Sequence, residues 1–242
     1  MTNNTIAAVV LGLGIALGGL FAGTGFARGR AADRFVTVKG VSEREARADL
    51  AIWPLRLVAA GDDLAGTHAA LQRNVETVGA FLARHGVDTA EVALQDFSVS
   101  DANANQYGGP VNPGARYVIR QTMVVRSTSP DVVLAASQRV AELVNAGVVL
   151  SSGAEYGGSG GPTFLFTGLN ALKPEMIAEA TARAREAAEQ FARDSRADLG
   201  GIRRANQGVF EILPRDQAPG ITQEGQIVKT VRVVSTVEYR LN

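Results

Sequence analysis

The chain opens on a long apolar run and then changes character. From Thr2 to Ala27 there is no charged side chain, and Ile6 to Phe21 is almost wholly apolar. Extended through Ala27, the run is roughly 20 residues or slightly more, enough for one helix to cross a ~30 Å hydrocarbon core. Residues 1–30 are therefore expected to form an N-terminal transmembrane signal-anchor, with residues 5–27 in the lipid bilayer. Two other readings compete. A cleaved signal peptide has a candidate site at Gly25-Phe26-Ala27 but lacks a basic n-region. A buried core helix is poorly served by so many glycines. Gly14 and Gly18, and Gly19 and Gly23, have the spacing that lets membrane helices approach closely, although glycine is frequent in such helices anyway. Arg28, Arg30 and Arg34 follow the run, and taken alone they favour a cytoplasmic body.

Beyond residue 30 the pattern alternates between periods of two and 3.6. Residues 35–41 and 47–59 read as strands, and Pro54 in the second marks an edge or a bulge, because proline gives no ladder donor. Gly61-Asp62-Asp63 supplies a turn and an N-cap. Leu64, Leu71, Val75, Val78 and Leu82 then follow at helical spacing up to His85-Gly86. Residues 92–100 and 115–126 predict a long hairpin around a polar, Gly- and Pro-rich loop, Asn103 to Gly114. Ser129-Pro130-Asp131 opens a helix with the stripe Val133, Ala136, Val140 and Val144, closed by Gly147. A short strand at 148–151, a Gly-rich stretch from Gly153 to Gly161 and a strand at 164–167 lead into an amphipathic helix over about 170–199. Its expected stripe is Ile177, Ala180, Ala184, Ala187, Phe191 and Ser195, ended by Gly200-Gly201. Residues 203–213 and 227–241 read as the last strands. In the latter, Lys229, Val231, Val233, Ser235, Val237 and Tyr239 form the more apolar face and are expected to point inward.

The order ββα, ββα, ββα and a strand pair predicts an α+β fold: an antiparallel or mixed sheet with long covering helices, in one domain over 31–242. Composition narrows the chemistry. The absence of cysteine removes disulfides, thiol catalysis and cysteine metal sites. Two histidines exclude a His-rich metal centre. The 24 basic and 24 acidic residues cancel, which gives no electrostatic case for nucleic acid.

Motifs are few. Gly157-Gly-Ser-Gly-Gly161 matches G-x-S-x-G, but four glycines surround Ser159 and Pro162 follows, which suits a mobile loop better than a nucleophile elbow. His85 lies at a helix C-terminus, where the dipole favours its protonated form. His68 is 17 positions earlier on that helix, roughly 25 Å away, too far to share a metal. Asp62, Asp63, Asp96 and Asp101 offer carboxylates for acid–base work, although caps and loops explain them equally. Arg183, Arg185, Arg193, Arg196, Arg203 and Arg204 interleave with Glu179, Glu186, Glu189, Asp194 and Asp198, the mark of a solvated face. Trp53, the single tryptophan, is either core or a contact residue. No catalytic, cofactor-binding or metal-ligating residue stands out, and no cofactor is implied.

Several stretches resemble the SIMPL-domain family of bacterial envelope proteins, which includes a periplasmic immunogenic antigen. They are Val38-Lys-Gly-Val-Ser-Glu-Arg-Glu45 with Ala48-Asp-Leu-Ala-Ile-Trp53, Leu169 to Glu189, Ala197-Asp-Leu-Gly200, and Val231 to Tyr239. The resemblance spans about residues 35–241 and fits the subgroup with an uncleaved anchor. These stretches are packing motifs, not a catalytic signature. The resemblance implies an α+β fold, export to the envelope, self-association and a loose link to stress defence. It also implies a periplasmic body, against the three arginines.

The expected protein is thus a single-pass inner-membrane protein with a periplasmic, non-enzymatic domain. That domain assembles as a homo-oligomer or binds a ligand that the residues do not name. The alternatives are an envelope hydrolase using His85 or carboxylates such as Asp96, and a cytoplasm-facing adaptor.

Overall fold

The structure is a computed structural model that describes residues 11–24, 34–104, 115–151 and 160–242. Within them the element order is α1 (11–24), β1 (Phe35–Arg47), β2 (Leu50–Gly61), α2 (Leu64–Arg84), β3 (Val92–Asp101), β4 (Tyr117–Ser127), α3 (Pro130–Ser137), α4 (Ala141–Asn145), β5 (Leu150–Ser151), β6 (Thr163–Leu165), α5 (Leu169–Ser195), β7 (Leu199–Gln207), β8 (Glu211–Pro214) and β9 (Val228–Leu241). The fold is α+β with antiparallel strand pairs, and the expected ββα order holds. Consecutive strands nevertheless divide between two sheets. One has the order β1-β9-β7, with β8 also on β9. The other has the order β3-β4-β2-β5, with β6 also on β2. The chain forms two compact units. The first holds residues 1–43, 173–211 and 232–242, and the second holds 44–172 and 212–231.

In the second unit β2 is the central strand. It pairs with β4 from Ala51 to Gly61 without a break, and its other side meets β6 at residues 50–52 and β5 at residues 56–57. This corrects the edge or bulge expected at Pro54. The N–H of Val58 points to the β5 side, donating to Val149 O at 3.2 Å. Pro54 shares that parity, so its missing donor faces the gap between β6 and β5, where no ladder bond is lost. From Ala51 onward the odd residues are buried: Ala51, Trp53, Leu55, Leu57 and Ala59. They pack with Leu71, Val78, Phe81 and Leu82 of α2, with Ile119, Met123 and Val125 of β4, and with Val133, Leu143 and Phe164. Trp53 is therefore a core residue.

The helix ends follow local chemistry. Asp63 caps α2, its carboxylate accepting from Gly66 N at 2.7 Å, and Gly86 stops the helix at φ +82°. The helix expected from 130 to 147 is instead two, α3 and α4, with a turn between them. The break moves the buried position from Val144, which is exposed, to Leu143. Ser129 holds the N-cap position of α3 but makes no side-chain cap bond.

In the first unit, α5 buries Met176, Ala180, Ala184, Ala188 and Ala192. Expectation and structure agree at Ala180 and Ala184, then diverge. The buried ridge keeps a strict four-residue step, and Phe191 is exposed. The reason lies under the ridge. A Cβ on Gly40 of β1 would sit 1.8 Å from Ala180 O and 2.4 Å from Ala184 N. Helix and strand backbones thus touch there, and only small side chains on one i,i+4 row permit it. Ser42, also on β1, is buried and donates to Glu179 at 2.9 Å. The helix ends at Ser195, not at Gly200-Gly201. Arg196 takes the left-handed conformation (φ +55°), and Ala197 N donates to Ala192 O. The strand expected at 203–213 is two strands, β7 and β8. The inward face of β9 is as expected, since Lys229, Val231, Val233, Ser235, Val237 and Tyr239 are all buried.

Lys229 has 0% of its surface exposed. Its ammonium donates to the carbonyls of Gln223 and, at 3.0 Å, Gln226. Burial lowers its pKa, against the opposing pull of Glu224.

α1 differs from the other long helices. Every one of its residues is exposed, including Leu11, Leu13, Ile15, Leu17, Leu20 and Phe21. Among the described residues no helix is long and apolar enough to cross a membrane. Residues 5–10 and 25–27 of the expected span lie outside the described residues.

Two predictions follow from this packing. Gly40→Ala should destabilise the first unit by about 3 kcal/mol or more, because backbone must move. Gly201→Ala, whose Cβ would meet nothing within 4 Å, should shift stability by under about 0.5 kcal/mol. Denaturant melts of both variants decide this. Between the lowered pKa of Lys229 and the ordinary lysine value of 10.5, the unfolded chain keeps a proton that the folded chain has released. Stability should therefore rise with pH across that window. Lys229→Met should flatten the rise in an alkaline series of urea melts.

Candidate functional site

The strand β3 has nearly its whole length in solvent. Among the described residues it ends its sheet, pairing on one side with β4, and residues 93–100 are all exposed. The pairing has two segments. Val92 to Gln95 face Val125 to Thr122, and Ser98 to Asp101 face Arg120 to Tyr117. Between them Asp96 and Phe97 oppose Gln121 alone, which makes a β-bulge. Asp96 sits there at φ +52°, in the left-handed region that aspartate tolerates better than most residues. Gln121 fills the broken ladder, donating its side-chain amide to Gln95 O at 2.7 Å.

The bulge sets what the edge displays. Leu94 lies opposite Met123, and Val99 opposite Ile119. Met123 and Ile119 are buried in the core, so Leu94 and Val99 belong to the helix-covered face. Yet Leu94 is 55% and Val99 46% exposed, because α2 packs chiefly on β2 and β4. Phe97, 53% exposed, meets the His68 ring of α2 edge-on at 6.1 Å. Leu64, one turn before His68 on the same helix face, is exposed as well. An apolar strip of Leu64, Leu94, Phe97 and Val99 thus borders open backbone.

Its charge is one-sided. Residues 88–101 contain Asp88, Glu91, Asp96 and Asp101 and no lysine or arginine. Asp101 is bound to Arg116 at 3.2 Å. That guanidinium, with the backbone N–H of Asn103, holds the Asp101 carboxyl below its ordinary pKa. Arg116 N also donates to Asp62, fastening the far end of the hairpin.

A second open edge lies on β7, whose residues from Gly201 to Gln207 are exposed and which among the described residues pairs with β9 alone. Ile202 lies opposite Tyr239, and Ala205 opposite Val237. Ile202 therefore belongs to the helix-covered face, yet it is 55% exposed. Arg203 lies over the Phe35 ring at 4.3 Å.

The residues singled out from sequence go elsewhere. His85 packs on Phe81, ring centroids 4.6 Å apart, and approaches Glu142 at 3.2 Å. Arg84 and Arg139 share that carboxylate at 4.0 and 3.9 Å. Asp96 adjoins Phe97, which touches His68, so it lies near the opposite end of α2 from His85, roughly 25 Å off. The structure does not bring His85 and Asp96 together. Asp62 and Asp63 serve the hairpin and the α2 cap. Ser159 and residues 105–114 of the long loop lie outside the described residues. A cleft of about 480 Å³ is lined by Leu213, Pro214, Gln217, Ala218, Pro219 and Ile221, none of which is titratable. Among the described residues no group of three or more His, Cys, Asp or Glu is placed to hold a metal. The bulge and the two bare edges escaped sequence reasoning. The acidic run 88–101 beside apolar Leu94, Phe97 and Val99 was the visible signal.

The stretches that carry the resemblance hold packing contacts. Gly40 and Ser42 seat α5, Trp53 fills the core, and Asp49 accepts from Thr167 N at 2.8 Å and from its hydroxyl at 3.0 Å. No curated protein matches the chain. The profile of the SIMPL family, described as "Protein of unknown function (DUF541)", matches residues 36–239. With most of its length covered by that match, the chain belongs to the SIMPL family.

Proposed function

We propose that this protein is a membrane-anchored component of the bacterial cell envelope that works by assembling with copies of itself, without catalytic turnover, in a setting of stress defence. The observation that carries the reading is the β3 edge. Backbone groups without a partner among the described residues run beside Leu94, Phe97 and Val99, on the face that elsewhere packs under helices. An edge left so open is a template for another chain unless something covers it. The anchor is supported by α1. A helix with leucines, an isoleucine and a phenylalanine all exposed has no cover among the described residues, and lipid is the solvent that suits it. The uncharged run continues on both sides of it, from Thr2 to Ala27. In this reading the helix is a single inner-membrane span and the domain is periplasmic, as the family resemblance implies. Arg28, Arg30 and Arg34 favour a second reading, a cytoplasm-facing adaptor.

Light scattering and crosslinking of the full chain in mild detergent should give a stable oligomer, and a monomer at every concentration would overturn the assembly role. Alkaline phosphatase fused after Asn242 should be active in cells. A silent fusion, with the protein present in the membrane fraction, would establish the cytoplasmic adaptor instead.

A further inference from the structure

We propose that the β3 edge of one copy receives the β7 edge of the next, head to tail. The inference rests on the assembly reading above and names its interface. Three features of the two edges match. Among the described residues each is the bare outer strand of its sheet. Each carries aliphatic side chains on the helix-covered face beyond the reach of the helices, Leu94 and Val99 on β3 and Ile202 on β7. Their charges are opposite. The run 88–101 has four acidic and no basic side chains, whereas Arg196, Arg203 and Arg204 outnumber Asp198 along 196–207. Among the described residues neither Asp96 nor Arg204 has an ion-pair partner within its own chain.

Like edges do not match in this way. Pairing β3 with β3 brings two acidic runs together, and pairing β7 with β7 brings arginines together, both unfavourable. Pairing β3 with β7 sets Asp96 beside the arginines and continues the apolar face from Leu94 and Val99 to Ile202. Both strands are irregular, β3 at 95–98 and β7 at 199–204, which confines any shared ladder to short segments and guards against indiscriminate stacking. Because donor and acceptor edges differ, a single β3–β7 contact leaves the β7 edge of one copy and the β3 edge of the other free for further copies.

The test exchanges the charges. In light scattering of the full chain in detergent, Asp96→Arg alone and Arg204→Glu alone should each raise the concentration for half-assembly about tenfold or more. A one-to-one mixture of the two variants should reassemble, since each mutant edge then finds its complement on the other protein. The double variant should assemble by itself. Asp96→Asn, which keeps a residue suited to left-handed backbone, guards against misfolding and should weaken assembly less than the reversal. Circular dichroism should be unchanged throughout. A wild type that never assembles removes the proposed function itself. A wild type that assembles while the single variants match it leaves that function standing and overturns the β3–β7 pairing. Single variants that dissociate without recovery in the mixture also overturn it.

Discussion

Each sheet of this protein is wider than the helix layer that covers it, and most of what the structure offers follows from that mismatch. In the second unit α2 lies on β2 and β4 and buries Leu57, Ile119 and Val125 completely. One strand further out, Leu94 and Val99 have the same orientation and remain half in water. In the first unit the cluster of Val36, Ala184, Ala188, Val237 and Tyr239 ends before Ile202. Burying a full aliphatic side chain contributes about 1.5–3 kcal/mol, so each uncovered residue leaves part of that gain unrealised. A second surface can supply it.

The narrow cover of the first unit has its own cause. Its helix is seated by alanines on a glycine, backbone against backbone at Gly40. Such contact holds the helix close and offers little side-chain reach sideways. Longer residues on the ridge would cover more sheet but would lift the helix off β1. The stretches shared with the family, around Gly40 and along α5, therefore preserve a spacing.

Where a side chain's role was set by its immediate neighbours in sequence, it was legible. Asp63 capped a helix as its position before an apolar stripe required, Gly86 ended that helix, and the alternate residues of β9 from Lys229 to Tyr239 turned inward. Roles set by distant partners were not legible. Pro54 reads as an edge residue because sequence shows the missing donor but not the gap between β5 and β6 into which it points. The stripe on α5 meets the true ridge only at Ala180 and Ala184, missing Met176 before them and Ala188 and Ala192 after, because periodicity alone does not reveal the strand glycine that holds it to a four-residue step. Arg196 gave no sign of its left-handed turn, which is usually glycine's. The edge site was half visible. Its acidic and apolar composition lay open in 88–101, while the bulge that turns Phe97 toward His68 depends on Gln121 in another strand.

Anchoring and assembly reinforce one another on the reading proposed here. A bulged, partly charged edge is a weak joint in free solution, since ordering two surfaces consumes much of what their contact returns. Copies tethered in one bilayer meet at high effective concentration and in a shared orientation, which converts a modest joint into a populated one. The same weakness keeps an exposed strand safe before the chain reaches the membrane, when a flat, fully complementary edge would aggregate. The bulge at Asp96 and the irregular register of β7 are then the features that keep the joint modest, and the lipid tether raises its population.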